Sequence, residues 1–196
     1  MRKVKRCLFG VLVLGVIGAK MGWSDVVINE VMYAPSTGVG GQHNEWVELY
    51  NRGTETVSLQ NWKLYDGSLR SFTLYSGTWT IAPGSYTILA RMPGTFTTIY
   101  GTPTNIIECS MVLNNGSDTI ALETNTGERI GTVTYYDSWG AKVNDKTLEK
   151  KDPNGTNDAS NWGESLINGG TPGGLNSVSP QIQVSPTEGP VGTTIT

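Results

Sequence analysis

The chain has 196 residues, of which 37% are hydrophobic and only 16% charged, with 25 glycines. That is apolar enough for a core, below the ~25% charge of an average soluble domain, and too rich in turn formers for a helical protein. The N-terminus carries Arg2, Lys3, Lys5 and Arg6, then an apolar run from Leu8 to Ala19, then small residues in Gly22-Trp23-Ser24. This is the layout of a secretory leader. The run is shorter than the ~20 residues of a membrane span. Residues 1–24 are therefore expected to be a cleaved signal peptide, with the product secreted or at the cell surface and no span left after cleavage. The alternative, an uncleaved anchor reaching Trp23, is interrupted by Lys20. Residues 1–24 hold five of the 14 basic residues and no acidic one. Cleavage leaves 9 basic against 17 acidic residues, a net charge of −8. Such a surface argues against nucleic acid as a partner, because affinity for phosphates comes from Lys and Arg. It also leaves Cys109 without Cys7, so no intramolecular disulfide is expected.

From Val26 onward the dominant period is two. Val26–Tyr33 reads as a strand ended by Ala34-Pro35, and 36–44 as a glycine-rich loop. Glu45–Tyr50 follows, with Val47 and Leu49 on one face and Trp46, Glu48 and Tyr50 on the other. Short strands are expected at Thr56–Leu59 and Trp62–Tyr65. Asp66-Gly67 is a hairpin signal leading into Leu69–Leu74. Tyr86–Ala90 is a buried strand. Met92–Cys109 is not one element, and Phe96–Tyr100 fits either a helical turn or an edge strand. Thr119–Glu123, Arg129–Tyr135 and Thr147–Lys150 complete eight or nine short strands with turns about every ten residues, the pattern of a β-sandwich. Past Asn176, residues 177–180 read as a linker. Gln181–Ser185 opens a fresh alternation, and residues 181–196 are too few to bury a core. They read as the truncated start of a second β-domain.

The candidate chemistry is sparse. His43 is the single histidine. With Glu45 it could ligate a metal if Glu30 or Glu48 joined, but no His-Glu-x-x-His pattern occurs, and a solvated loop histidine is the simpler reading. Gly-x-Ser-x-Gly is absent too. Glu30 and Glu48 could form a carboxylate pair for acid–base work. The simpler expectation is carboxylates satisfied by backbone N–H groups or a basic side chain at a sheet edge. The segment Asp152, Asn154, Asn157, Asp158 is oxygen-rich enough to suggest Ca²⁺. It lacks EF-hand spacing, and Asp and Asn build such turns on their own. Among the aromatics, Trp46, Trp62, Tyr65, Trp79, Trp139 and Trp162 could include a stacking platform for sugars or peptides. Trp139, beside Tyr135-Tyr136-Asp137-Ser138, is the candidate ligand contact.

The ordered set Ile28-Asn29-Glu30-Val31-Met32-Tyr33, Glu45-Trp46-Val47-Glu48-Leu49-Tyr50-Asn51, Val57–Leu64, Ile81–Tyr86, Leu113–Asp118, Thr147–Lys150, Asn161-Trp162 and Gly170–Asn176 resembles the lamin tail domain. That family occurs on nuclear lamins and on bacterial exported proteins. The resemblance spans residues 25–176 and implies an all-β, immunoglobulin-like β-sandwich, with a structural loop rather than a cation site before Trp162. The stretch Pro180-Gln181-Ile182 to Ser185-Pro186, with Gly189-Pro190-Val191-Gly192-Thr193, resembles the start of an IPT/TIG domain, another immunoglobulin-like module. A lamin's coiled-coil rod is missing, so filament formation does not carry over. The expected function is a non-catalytic binding or structural module of a secreted or surface protein, attaching it to a protein or surface polymer without a cofactor. The alternative is an accessory N-terminal domain of a larger secreted hydrolase or nuclease.

Overall fold

The computed structural model describes residues 25–180. The expected leader (1–24) and the expected start of a second domain (181–196) lie outside the described residues. Twelve strands are described: β1 Val26–Met32, β2 Trp46–Asn51, β3 Val57–Ser58, β4 Lys63–Tyr65, β5 Leu69–Ser76, β6 Thr80–Ile81, β7 Tyr86–Ala90, β8 Asn105–Cys109, β9 Ser117–Glu123, β10 Arg129–Tyr136, β11 Leu148–Lys150 and β12 Trp162–Glu164. One helix, α1 Pro93–Tyr100, joins them, and residues 36–44 form two short 3₁₀ turns rather than open loop. No helix among the described residues is long and apolar enough to cross a membrane.

Ten strands run in the order β10-β9-β4-β5-β8-β7-β2-β1-β11-β12, and β3 pairs with β6 separately. The long β5 is the hinge of the curl. Its first half pairs with β4, and Phe72–Ser76 pairs with β8. One layer is therefore β10-β9-β4-β5, and the other is β8-β7-β2-β1-β11-β12. The result is an immunoglobulin-like β-sandwich. Between the layers lie Val31, Val47, Leu49, Leu89 and Ile107 from one side and Leu64, Ile120, Leu122, Val133 and Tyr135 from the other. Tyr33 packs on Tyr135 with ring centroids 4.7 Å apart, and its hydroxyl donates to Gly140 O at 2.6 Å.

Two features depart from a simple alternating sandwich. First, β7 and β8 are parallel, so the chain must cross over between them, and α1 makes the crossover. Its sequence, rich in Thr and Gly, is a poor helix former. Burial compensates: Phe96 is 1% exposed and packs with Trp46, Ile88, Ala90 and Ile106 in a second core on the outer face of the larger layer. The apolar face that an open sandwich would leave to solvent is thus covered. Second, the β1–β2 register shifts between Ile28 and Glu30, a bulge at Asn29. Val26 and Ile28 face the main core, and so do Val31 and Tyr33. A strand of strict period two could not do both. The extra residue turns Glu30 and Met32 to the outer face.

Replacing Phe96 with Ala removes the main plug of the second core. The expected cost is about 3–5 kcal/mol, measured by urea denaturation, while the far-ultraviolet signature of the sheets is retained.

Candidate functional site

The bulge at Asn29 sets up the most unusual feature of the molecule. On the outer face Glu30 pairs in register with Glu48 of β2 on one side and with Glu149 of β11 on the other. All three side chains are 0% exposed. They lie in the middle of the sheet, not at the sheet edge expected from sequence, and no basic side chain pairs with them among the described residues. A segment from Gly170 to Ser179 crosses over them. Glu30 Oε1 accepts from Thr147 Oγ1 at 2.6 Å and from the Thr171 N–H at 2.9 Å. Glu48 accepts from the Gly173 N–H at 2.6 Å and from Asn29 Nδ2 at 2.8 Å. Glu149 Oε2 accepts from Ser177 Oγ at 2.7 Å and from the Val178 N–H at 3.0 Å. Asn176, 2% exposed, finishes the seal by donating to Asn29 O and Lys150 O.

The geometry is short of donors and favours a proton within the cluster. Thr171 Oγ1 lies 3.2 Å from Glu30 Oε2 and 3.1 Å from Glu149 Oε1. A hydroxyl has one hydrogen. It is either shared between the two carboxyls or given to one of them, and in the second case a proton on the other carboxyl makes the remaining contact. Electrostatics point the same way. Burial, opposed by its hydrogen bonds and reinforced by Glu149, pushes Glu30 up to about 8. Burial and the charge of Glu30 raise Glu48 well above the ordinary carboxylate range. A charge in such a place is costly, so the group stays neutral instead. Buried under the strap and bonded within it, Glu30 and Glu48 are not presented to a substrate as an acid–base pair would be.

The other candidate residues do not gather around this cluster. His43 is exposed in the second 3₁₀ turn. Glu45 turns inward instead, accepting from Arg91 Nη1 at 3.0 Å and from the Leu113 N–H at 3.1 Å. The two therefore do not point at a common ion. In the 152–158 loop, Asp152 Oδ1 accepts from the Asn154 N–H and Asp158 Oδ1 from the Ser160 N–H and Oγ. Asn157 Oδ1 faces the Lys150 ammonium at 2.7 Å. The oxygens named for Ca²⁺ thus serve turns, and one of them already meets a cation. Trp139 is half-buried and packs against the main core. The exposed aromatic at that corner is Tyr136, whose ring lies 6.1 Å from that of Trp139.

A different aromatic group forms a cleft. Half-buried Phe72 and Trp79, which pack on the main core, line a surface cavity of about 220 Å³ over the edge of buried Trp62, together with Gln60, Asn61 and Lys63. Asn61, held at φ 65°, turns the chain so that Gln60 and Trp62 flank it. The sequence had marked Trp62 and Trp79 as possible stacking residues, but their partner Phe72 becomes visible only once β5 is placed.

A curled two-layer sandwich of mostly antiparallel strands is the architecture of an immunoglobulin-like domain. The lamin tail domain family model matches residues 20–137, and the chain belongs to that family. It is a family of non-catalytic immunoglobulin-like domains. No curated protein and no solved structure matches the chain.

The raised carboxyls tie stability to pH. In the unfolded chain these groups ionise near 4.5, whereas folded Glu30 holds its proton to about 8. Between those values the folded state binds more protons, so stability falls as pH rises, by up to about 1.4 kcal/mol per pH unit for each such group. Urea denaturation from pH 5 to 8 should show the fall. Glu30→Gln, which keeps the shape and cannot ionise, should remove Glu30's share of it and leave that of Glu48.

Gly170 runs so close to the cluster, at φ 75°, that a Cβ there would collide with Glu30 Oε1 and Thr147 Oγ1. Gly170→Ala is expected to destabilise by about 2–4 kcal/mol and to raise proteolytic cleavage within residues 170–179.

Proposed function

We propose that this chain is a non-catalytic attachment module of a secreted or cell-surface protein, and that it holds a surface polymer. The observation that carries this reading is the cleft of Trp62, Phe72 and Trp79. Aromatic faces bordered by amides suit sugar rings, whose C–H faces stack on aromatics while hydroxyls bond to polar rims. Gln60 and Asn61 supply that rim, and Lys63, whose ammonium lies 3.5 Å from Glu123, lines one end. Non-catalytic membership of the family supports the absence of chemistry at the site. Export is supported by the basic and apolar leader in residues 1–24. Loops and clefts carried on a rigid scaffold are the usual binding surfaces of such sandwiches.

Two measurements test it. N-terminal sequencing of the exported product should begin at Asp25; a product that keeps residues 1–24 speaks against secretion by cleavage. A binding screen of the exported chain against glycan arrays and cell-wall polymers should give a saturable hit. Trp79→Ala should weaken that hit about tenfold, equivalent to ~1.4 kcal/mol, in a variant whose retained fold is checked by circular dichroism, because Trp79 also packs against the main core. A screen that finds only a protein partner, or a hit indifferent to Trp79, would overturn the polymer reading.

A further inference from the structure

Away from the aromatic cleft, the sandwich opens where β1 begins and β2 ends. The cleft there has a volume of about 330 Å³, at the lower end of the roughly 300–1,000 Å³ of small-ligand pockets. Val26 and Val27 supply apolar lining, Gly131 comes from β10, and Gly155–Asn157 come from the loop beyond β11. The two remaining lining residues are both cations, Arg52 and Lys150.

Lys150 is the anomaly. Its side chain is 2% exposed. Its ammonium has three hydrogens to donate, and its one acceptor among the described residues is Asn157 Oδ1, a neutral oxygen, at 2.7 Å. No carboxylate forms an ion pair with it there. Buried charges are normally paired. Instead a second cation faces the same space. Arg52 donates from Nη1 to Pro153 O at 2.9 Å, which holds the guanidinium against the loop. The strain shows in the ammonium's acidity. Burial and the charge of Arg52 push Lys150 down to about 8, with Asp152 pulling the other way.

The loop that closes the cleft is rigidly built. Asn157 Nδ2 donates to Thr132 O of β10 at 3.0 Å, and Asn161 Nδ2 donates to Asp152 O and Thr156 O at 2.8 and 2.9 Å. The Asx-rich segment that suggested a cation site from sequence therefore forms the rim of a positively charged pocket.

We propose that the cleft between Arg52 and Lys150 binds a single oxyanion group, a carboxylate or a sulfate. The buried ammonium offers the hydrogen-bonding point charge, the Arg52 guanidinium adds positive charge beside it, and the apolar lining accepts the carbon skeleton that carries the group. An anion seated there satisfies the buried ammonium and separates the two like charges. The site is independent of the polymer reading, since neither cation lines the aromatic cleft, and a chain that holds no polymer would still bind the anion.

The test titrates the exported chain with sulfate, acetate and galacturonate against matched chloride, following amide resonances of residues 155–157 by NMR. Saturable shifts are expected. Galacturonate saturating at lower concentration than acetate assigns the oxyanion to an acidic sugar unit; equal affinities assign it to the free group. Lys150→Met should fold, because an apolar residue replaces a lone buried charge, and should bind more than about tenfold more weakly. Arg52→Gln should do the same. Shifts no larger than those caused by chloride, or undiminished binding in Lys150→Met, would overturn the proposal.

Discussion

Three carboxyl groups in adjacent strands, sealed from water and given no cation among the described residues, are the constraint around which the outer face of this sandwich is organised. A sheet face can be buried cheaply with apolar residues, as α1 does over Trp46, Ile88 and Ile106. Next to that apolar half, β1, β2 and β11 present Glu30, Glu48 and Glu149 in one row. Such a row tolerates burial only if every oxygen finds a donor and the number of charges is reduced. The segment from Gly170 to Ser179 supplies the donors: two backbone N–H groups from Thr171 and Gly173, hydroxyls from Thr171 and Ser177, and the Val178 N–H. Protons on the carboxyls reduce the charge.

This arrangement has a consequence for the module as a whole. Asn29 of the first strand and Asn176 of the closing segment exchange hydrogen bonds at 3.0 Å in both directions. The start and the end of the described chain are tied to each other across 147 residues of sequence. The Asn176 bonds are buried and the strap's other bonds part-buried, and they reach the sheet's central strands, so the strap belongs to the cooperative unit rather than to a frayed tail. A domain closed in this way suits a spacer or attachment unit, whose loops and clefts can bind while its frame stays fixed.

Much of the frame was legible from residue patterns. β2 and β7 were read closely, because Val47, Leu49, Ile88 and Leu89 sit in strands bounded by clear turns. The Asp66-Gly67 signal indeed joins β4 to β5. Other elements were hidden for identifiable reasons. The Pro93–Tyr100 helix has no helical apolar period of its own and is imposed by Phe96 docking on Trp46. β8 follows Gly101–Thr104 without a hairpin, because its pairing with β7 is parallel. The short β6 and β12 carry too few residues for alternation to show. Glu30 and Glu48 were visible as acids within apolar strands, and backbone N–H groups do satisfy them in part. That Glu149 and the strap join them could not be inferred, since the contacts of Glu30 and Glu48 reach residues more than 100 positions away. In the 152–158 loop, composition indicated oxygen ligands, but Lys150, which makes that corner positive, lies two residues before Asp152 and points into the interior.

The most direct measurement of the central claim is a ¹³C NMR titration of the Glu30 carboxyl carbon in the folded protein. A transition near pH 8 is expected, with Glu48 also titrating well above the usual range. A Glu30 transition near 4.5, as in an unfolded chain, would mean that the cluster is open to water or paired with a cation, and would contradict the sealed-face description.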